Sequence, residues 1–224
     1  MDEPPLSWPG VLEPSLLPEE DITAGHKMAD AAEAGDWPAL FDLLDAAPAL
    51  SANQWRPGSP EWTTPLHLAA RHDAPANVIA ALVERGALRS LRDARGWTAR
   101  DVAVEKQHPM SLISLLTPPP SPLSSERVRA LDANLEWVID GSIRATQIFK
   151  DHRDRDLRRV LRYPPVAMLH EAPGRSVQLV IPGMPNGIRV TLRDDYLEVT
   201  AAGRVHVITH RGAVAVREDG DGVS

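Results

Sequence analysis

The stretch Thr64-Pro65-Leu66-His67-Leu68-Ala69-Ala70 decides how this chain folds. Thr64 is a helix N-cap, because its hydroxyl accepts one of the backbone N–H bonds that a first helical turn leaves unmet. Pro65 follows at the one helical position where a missing N–H costs nothing. A weaker copy begins at Thr98 and runs Thr98-Ala99-Arg100-Asp101-Val102-Ala103.

Working outward, the same pattern sets a register. Ala69 to Ala103, Val78 to Leu112 and Leu82 to Leu116 are each 34 residues apart, while Ala32 to Ala70 and Leu44 to Leu82 are 38 apart. Three helical hairpins therefore align, and the first connection is about four or five residues longer than the next. Within the first hairpin Met28, Ala31, Ala32, Leu40, Leu43 and Leu44 recur at helix spacing. Gly35-Asp36 breaks the two helices and Pro38 suits the first turn of the second. Residues 51–63 form a polar loop with Pro57, Gly58 and Pro60. Gly86 ends the second hairpin in the left-handed conformation, and Asp93-Ala94-Arg95-Gly96 is a turn.

On these residues the segment 26–117 resembles ankyrin repeats. The middle repeat carries the signature in full: Thr64-Pro65-Leu66-His67, Ala69-Ala70, and Gly86-Ala87 after its second helix. The third has Gly96-Trp97-Thr98, with Asp101 in place of the signature His, and the first lacks the signature. The resemblance implies a stack of hairpins that binds a protein partner on its concave side. It also implies that His67 bonds the Thr64 hydroxyl and a neighbouring loop, tying successive repeats together. Thr64, Pro65, His67, Gly86, Gly96 and Thr98 are thereby structural residues.

The remainder of the chain divides by texture. Residues 1–25 are rich in proline and acids, which predicts an extended, largely disordered leader that Trp8, Leu12, Leu16 and Leu17 pin in part. Residues 118–163 open with Pro118-Pro119-Pro120-Ser121-Pro122, which stops the array. A helix capped by Ser124 or Ser125 follows, with Val128, Leu131, Leu135 and Val138 on one face, and a further helix near 153–162. Together they cap the array, since a terminal repeat cannot cover its own apolar side. In residues 164–217 the period changes to two. Val177, Leu179 and Ile181 alternate, as do Val190 and Leu192, Leu197 and Val199, Val205 and Val207, Val214 and Val216. Residues 218–224 form an acidic tail. The fold class is α+β by segment: a short helical array with a helical cap, then a small antiparallel sheet of four to five strands. Leu161-Arg162-Tyr163-Pro164-Pro165, Glu171-Ala172-Pro173-Gly174 and Ile181-Pro182-Gly183-Met184 resemble a tail found on some bacterial ankyrin proteins from GC-rich genomes, a resemblance that implies no activity.

Composition narrows the function classes. The chain of 224 residues has no cysteine, which removes disulfides, thiolate metal sites and a Cys nucleophile. The first residues lack the basic and apolar regions of a signal peptide, and no apolar run approaches the roughly 20 residues that span a bilayer. The expectation is a soluble cytoplasmic protein without cofactor or metal. Net charge is −7, unevenly placed: residues 26–140 carry 11 bases and 15 acids, residues 141–217 carry 13 bases and seven acids.

Partner contacts are expected on the long first loop and along the hairpin tips. Trp55 and Trp62 bracket that loop with Arg56 and Glu61 beside them, and exposed Trp and Arg are the residues most enriched among binding hot spots. The competing reading is that the two rings fold back to plug the loop. Arg71, His72, Trp97, Lys106, Gln107 and His108 fall at ends of first helices or on tips. Arg155, Arg158, Arg159 and Arg162 share one helical stripe, but interleaved Asp151, Asp154 and Asp156 make it a solvated, salt-bridged face. His206 and His210 share a strand face without an acidic residue to complete a metal set. His152-Arg153-Asp154 imitates a kinase triplet, with neither a glycine-rich loop nor Asp-Phe-Gly to support it. No nucleophile elbow, phosphate loop or His-Glu-x-x-His is present. The sequence thus predicts a non-catalytic protein-binding module. The alternatives are an immunity or antitoxin-like inhibitor of a bacterial toxin, and an enzyme or nucleic-acid binder working through the C-terminal half.

Overall fold

A computed structural model describes residues 4–145, 156–181, 183–184 and 186–216. The chain divides into two compact units. One is residues 11–120, and the other joins residues 1–10 to residues 121–224.

The first unit is built from six helices: α1 (Glu19–Ala34), α2 (Trp37–Ala46), α3 (Pro65–Arg71), α4 (Ala76–Glu84), α5 (Ala99–Glu105) and α6 (Met110–Leu116). They pair as three hairpins, α1 with α2, α3 with α4, and α5 with α6. The first helices form one row, with α3 between α1 and α5, and α4 packs on α6 in a second row. Caps explain the boundaries. Gly35 takes φ 70° after α1, and Asp36 accepts the Ala39 N–H at 3.1 Å to start α2. Close packing follows from small residues at the contacts: Ala32, Ala69, Ala70 and Ala103 are fully buried alongside Met28, Leu40, Leu66, Ile79, Leu82 and Leu116.

Among its described residues the second unit holds a six-stranded sheet and one long helix. The strands run in order β1 (Leu6–Trp8), β2 (Ser176–Leu179), β3 (Ile188–Leu192), β4 (Leu197–Ala201), β5 (Arg204–Thr209) and β6 (Gly212–Val216). Neighbours from β2 to β6 are antiparallel, and β1 is parallel to β2. The helix α7 (Ser125–Arg144) is capped by Ser124, which accepts the Arg127 N–H at 3.3 Å. It lays Leu131, Leu135, Val138, Ile139 and Ile143 on the face of β4, β5 and β6. The register puts Val177, Leu179, Ile188, Val190, Leu192, Leu197, Val199, Ala201 and Ile208 on that same apolar face.

Several expectations change. Among the described residues the sheet has six strands and is mixed, because a short part of the segment expected as a leader joins it. Leu6–Trp8 adds a strand, and α1 already begins at Glu19. Trp8 is the reason: its ring is 1% exposed, and its Nε1–H donates to the Arg162 carbonyl at 2.7 Å. The Arg162 N–H in turn donates to the Gly10 carbonyl at 2.7 Å. A helix near 153–162 is not formed over its described part, where only a single 3₁₀ turn, Leu157–Arg159, is present. The arginine stripe therefore dissolves. Arg158 pairs with Glu136 at 2.6 Å, Arg159 is exposed and Arg162 is buried over the Trp8 ring. Arg155, the His152-Arg153-Asp154 triplet and the acidic tail lie outside the described residues.

Candidate partner-binding face

The helix signature at Thr64 acts first as a joint. Thr64 Oγ1 lies 2.8 Å from His67 Nδ1, and His67 Nε2 lies 3.0 Å from the Trp97 carbonyl oxygen of the next loop. One tautomer serves both bonds, with the proton on Nε2 donated to Trp97 and Nδ1 accepting from Thr64. Both side chains are buried, so each bond removes a polar group that would otherwise go unmet. At Thr98 the joint is shorter. Asp101 accepts the Thr98 N–H at 2.9 Å and hydroxyl at 2.8 Å, closing a capping box within its own turn.

Two loop residues passed over in the sequence carry comparable weight. Asn53 is 1% exposed, donates to the Gly86 carbonyl at 2.8 Å and accepts the Leu88 N–H at 2.8 Å. A single amide thereby binds the first loop to the second. Asp93 accepts the N–H bonds of Arg95 and Trp97, each at 2.9 Å, and the Arg95 Nε–H at 3.0 Å. Burial opposes ionisation of Asp93, but these donors outweigh it and hold its carboxyl below the usual carboxylate range.

An open groove of about 230 Å³ lies between α1, α3 and the first loop. Its floor is Met28, Ala29, Ala32, Pro65 and Leu68, and its rim carries Glu33, Arg56 and Glu61. The rim charges are partly spoken for. Arg56 pairs with Asp30 at 2.7 Å, and Arg71 approaches Glu33 only to 3.9 Å. The first loop spans residues 47–64, against 85–98 for the second, and the excess length builds the rim. The two loops are joined at their tips by the Ala94 N–H donating to the Glu61 carbonyl at 2.9 Å.

The expected contact residues separate accordingly. Arg56 and Glu61 meet at the groove. Trp55 does not serve as an exposed anchor: it is 3% exposed. Trp62 is half-buried, with φ 54° that bends the chain toward Thr64. Arg71 and His72 stand at the end of α3, half-buried and exposed respectively. Trp97 packs against the helical core, with the Arg95 guanidinium 4.4 Å over its ring. Lys106 and Gln107 are exposed after α5, and His108 Nε2 bonds the Ala70 carbonyl at 2.7 Å between repeats.

The second unit shows a different polar arrangement. Along α7, Asp132, Glu136 and Asp140 succeed one another by single turns and hold the segment that follows the helix. Asp132 accepts the Val166 N–H at 2.8 Å, Glu136 pairs with Arg158, and Asp140 accepts the Tyr163 hydroxyl. Burial pushes the Asp132 carboxyl up to about 6, aided by the charge of Glu136, while the Val166 bond acts the other way. Burial, then the bond to Asp140, also raises the Tyr163 hydroxyl. His206 and His210 do not share a strand: His210 lies in the turn beyond β5, beside Arg127. Among the described residues no cluster of three or more His, Asp or Glu side chains is arranged to hold a metal ion. No described helix is long and apolar enough to cross a membrane.

Residues 51–103 match the family model described as ankyrin repeats (many copies). None of the curated proteins matches the chain.

Proposed function

With an ankyrin-repeat segment as its premise, we propose that the chain is a non-catalytic docking module whose protein partner seats on the groove between α1, α3 and the first loop. Ankyrin repeats in general mediate protein–protein interaction. The observation that carries the reading is the groove: an apolar floor of alanines, Leu68 and Met28 with a charged rim, on loops tied to one another by Asn53, His67 and Glu61. An apolar centre inside a polar rim is the anatomy of a protein-binding patch. Loops fixed before docking lose little ordering entropy when a partner arrives.

The direct test is capture of partners from native lysate by the wild-type chain and by Glu33→Arg/Glu61→Arg. Both positions are exposed, so the variant keeps its melting temperature. The expected result is loss of the principal partner. A folded variant that retains every partner overturns the groove as the docking site.

A further inference from the structure

We infer that the groove between α1, α3 and the first loop takes a basic amphipathic segment of its partner, with an aliphatic side chain on the floor and lysine or arginine at the rim. The inference rests on the docking reading and names the chemistry of the occupant.

The charge around the groove is one-sided. Residues 11–120 carry 15 acids and nine bases. Six of those bases lie within residues 85–106, and none of the six lines the groove. The wall helix α1 has five acids against one lysine and no arginine. At and around the rim, Asp30, Glu33 and Glu61 meet two guanidiniums. Arg56 pairs with Asp30 at 2.7 Å, and Arg71 lies 3.9 Å from Glu33. Each guanidinium thus already faces a carboxylate, and the rim keeps one carboxylate in excess. All three carboxylates belong to exposed residues. Glu61 is held through its backbone: its N–H donates to Ser59 Oγ at 3.3 Å, and its carbonyl accepts the Ala94 N–H at 2.9 Å. A partner cation beside Glu33 and Glu61 gains charge-assisted bonds, and the negative field of the unit steers it there.

The floor sets the other half of the match. Met28, Ala29, Ala32, Pro65 and Leu68 offer no polar side-chain group. A polar side chain pressed onto them gives up water without replacement, whereas an aliphatic one gains by burial. An acidic segment meets like charge at the rim, which costs affinity. A nucleic acid brings phosphates to the same carboxylates and is disfavoured for the same reason.

The test titrates full-length protein with three fluorescent peptides of one length: lysine with leucine, glutamate with leucine, and lysine with serine. The lysine–leucine peptide should bind at least about tenfold more tightly than either of the others, with affinity that falls as salt rises. On binding it should slow amide exchange over residues 28–33 and 54–68. Glu33→Gln/Glu61→Gln should weaken it by about fivefold or more. The charge-matched control Asp42→Asn/Glu105→Gln, at exposed positions outside the groove, should change it by less than about twofold. The inference is overturned if the lysine–leucine peptide fails to bind, or if Glu33→Gln/Glu61→Gln binds it as the wild type does. Equal affinity of the glutamate–leucine peptide, with protection of the same segments, would overturn it and leave the groove reading standing. Protection by the lysine–leucine peptide only outside those segments would overturn both.

Discussion

Single side chains that serve two loops at once hold the repeat register. Asn53 is the clearest case, because its amide satisfies both a carbonyl at Gly86 and an N–H at Leu88. Asn53→Ala leaves both backbone groups without that partner in a buried joint. Chemical denaturation should show a loss of about 2–4 kcal/mol; a loss below about 0.5 kcal/mol would mean the loops hold without it. His67 was readable from the sequence because the resemblance of Thr64-Pro65-Leu66-His67 to the ankyrin signature implies its bonds to Thr64 and the next loop. Asn53 was not, since a loop residue has no periodicity and its partners lie 33 and 35 residues away. Trp55 misled for a related reason: a polar, proline-rich loop reads as exposed, yet the ring is buried.

At the scale of elements, two attachments carry the second unit. The parallel strand β1 is held by Trp8, so Trp8→Ala should cost about 3–5 kcal/mol and release the strand, read as lost amide protection over residues 6–8. Trp8→Phe removes the bond to the Arg162 carbonyl and part of the buried ring, and should cost about 1–3 kcal/mol, less than Trp8→Ala. The strand was missed because three residues between prolines give too short a pattern, and because its partner, β2, lies far along the chain. The other strands were legible from alternation and turn residues. The second attachment is the acidic face of α7. Asp132 has a folded pKa of about 6 against an ordinary 3.8, so the native state binds its proton more tightly than the unfolded chain does. Its effect on stability is therefore most favourable below the ordinary value and worsens as pH rises through about 6. Asp132→Asn keeps an oxygen for the Val166 N–H and removes the buried charge. The variant should be more stable than wild type by about 1–3 kcal/mol near pH 7.5, with the gain vanishing near pH 4. A gain of equal size at both pH values would contradict the assignment.

On the scale of the whole molecule, the helical unit offers a groove, and the groove is where we place docking. The arrangement was partly legible: the 38-residue spacing exposed the longer first loop, and that loop forms the groove rim. The floor was not: Ala32 read only as a position on a helix face, and nothing in the sequence singled out Ala29 or Leu68 as groove residues. The most direct measurement is hydrogen–deuterium exchange on the full-length chain with and without its captured protein partner. Added protection should fall on residues 28–33 and 54–68. Protection confined to residues 176–216, with the groove segments unchanged, would contradict the account.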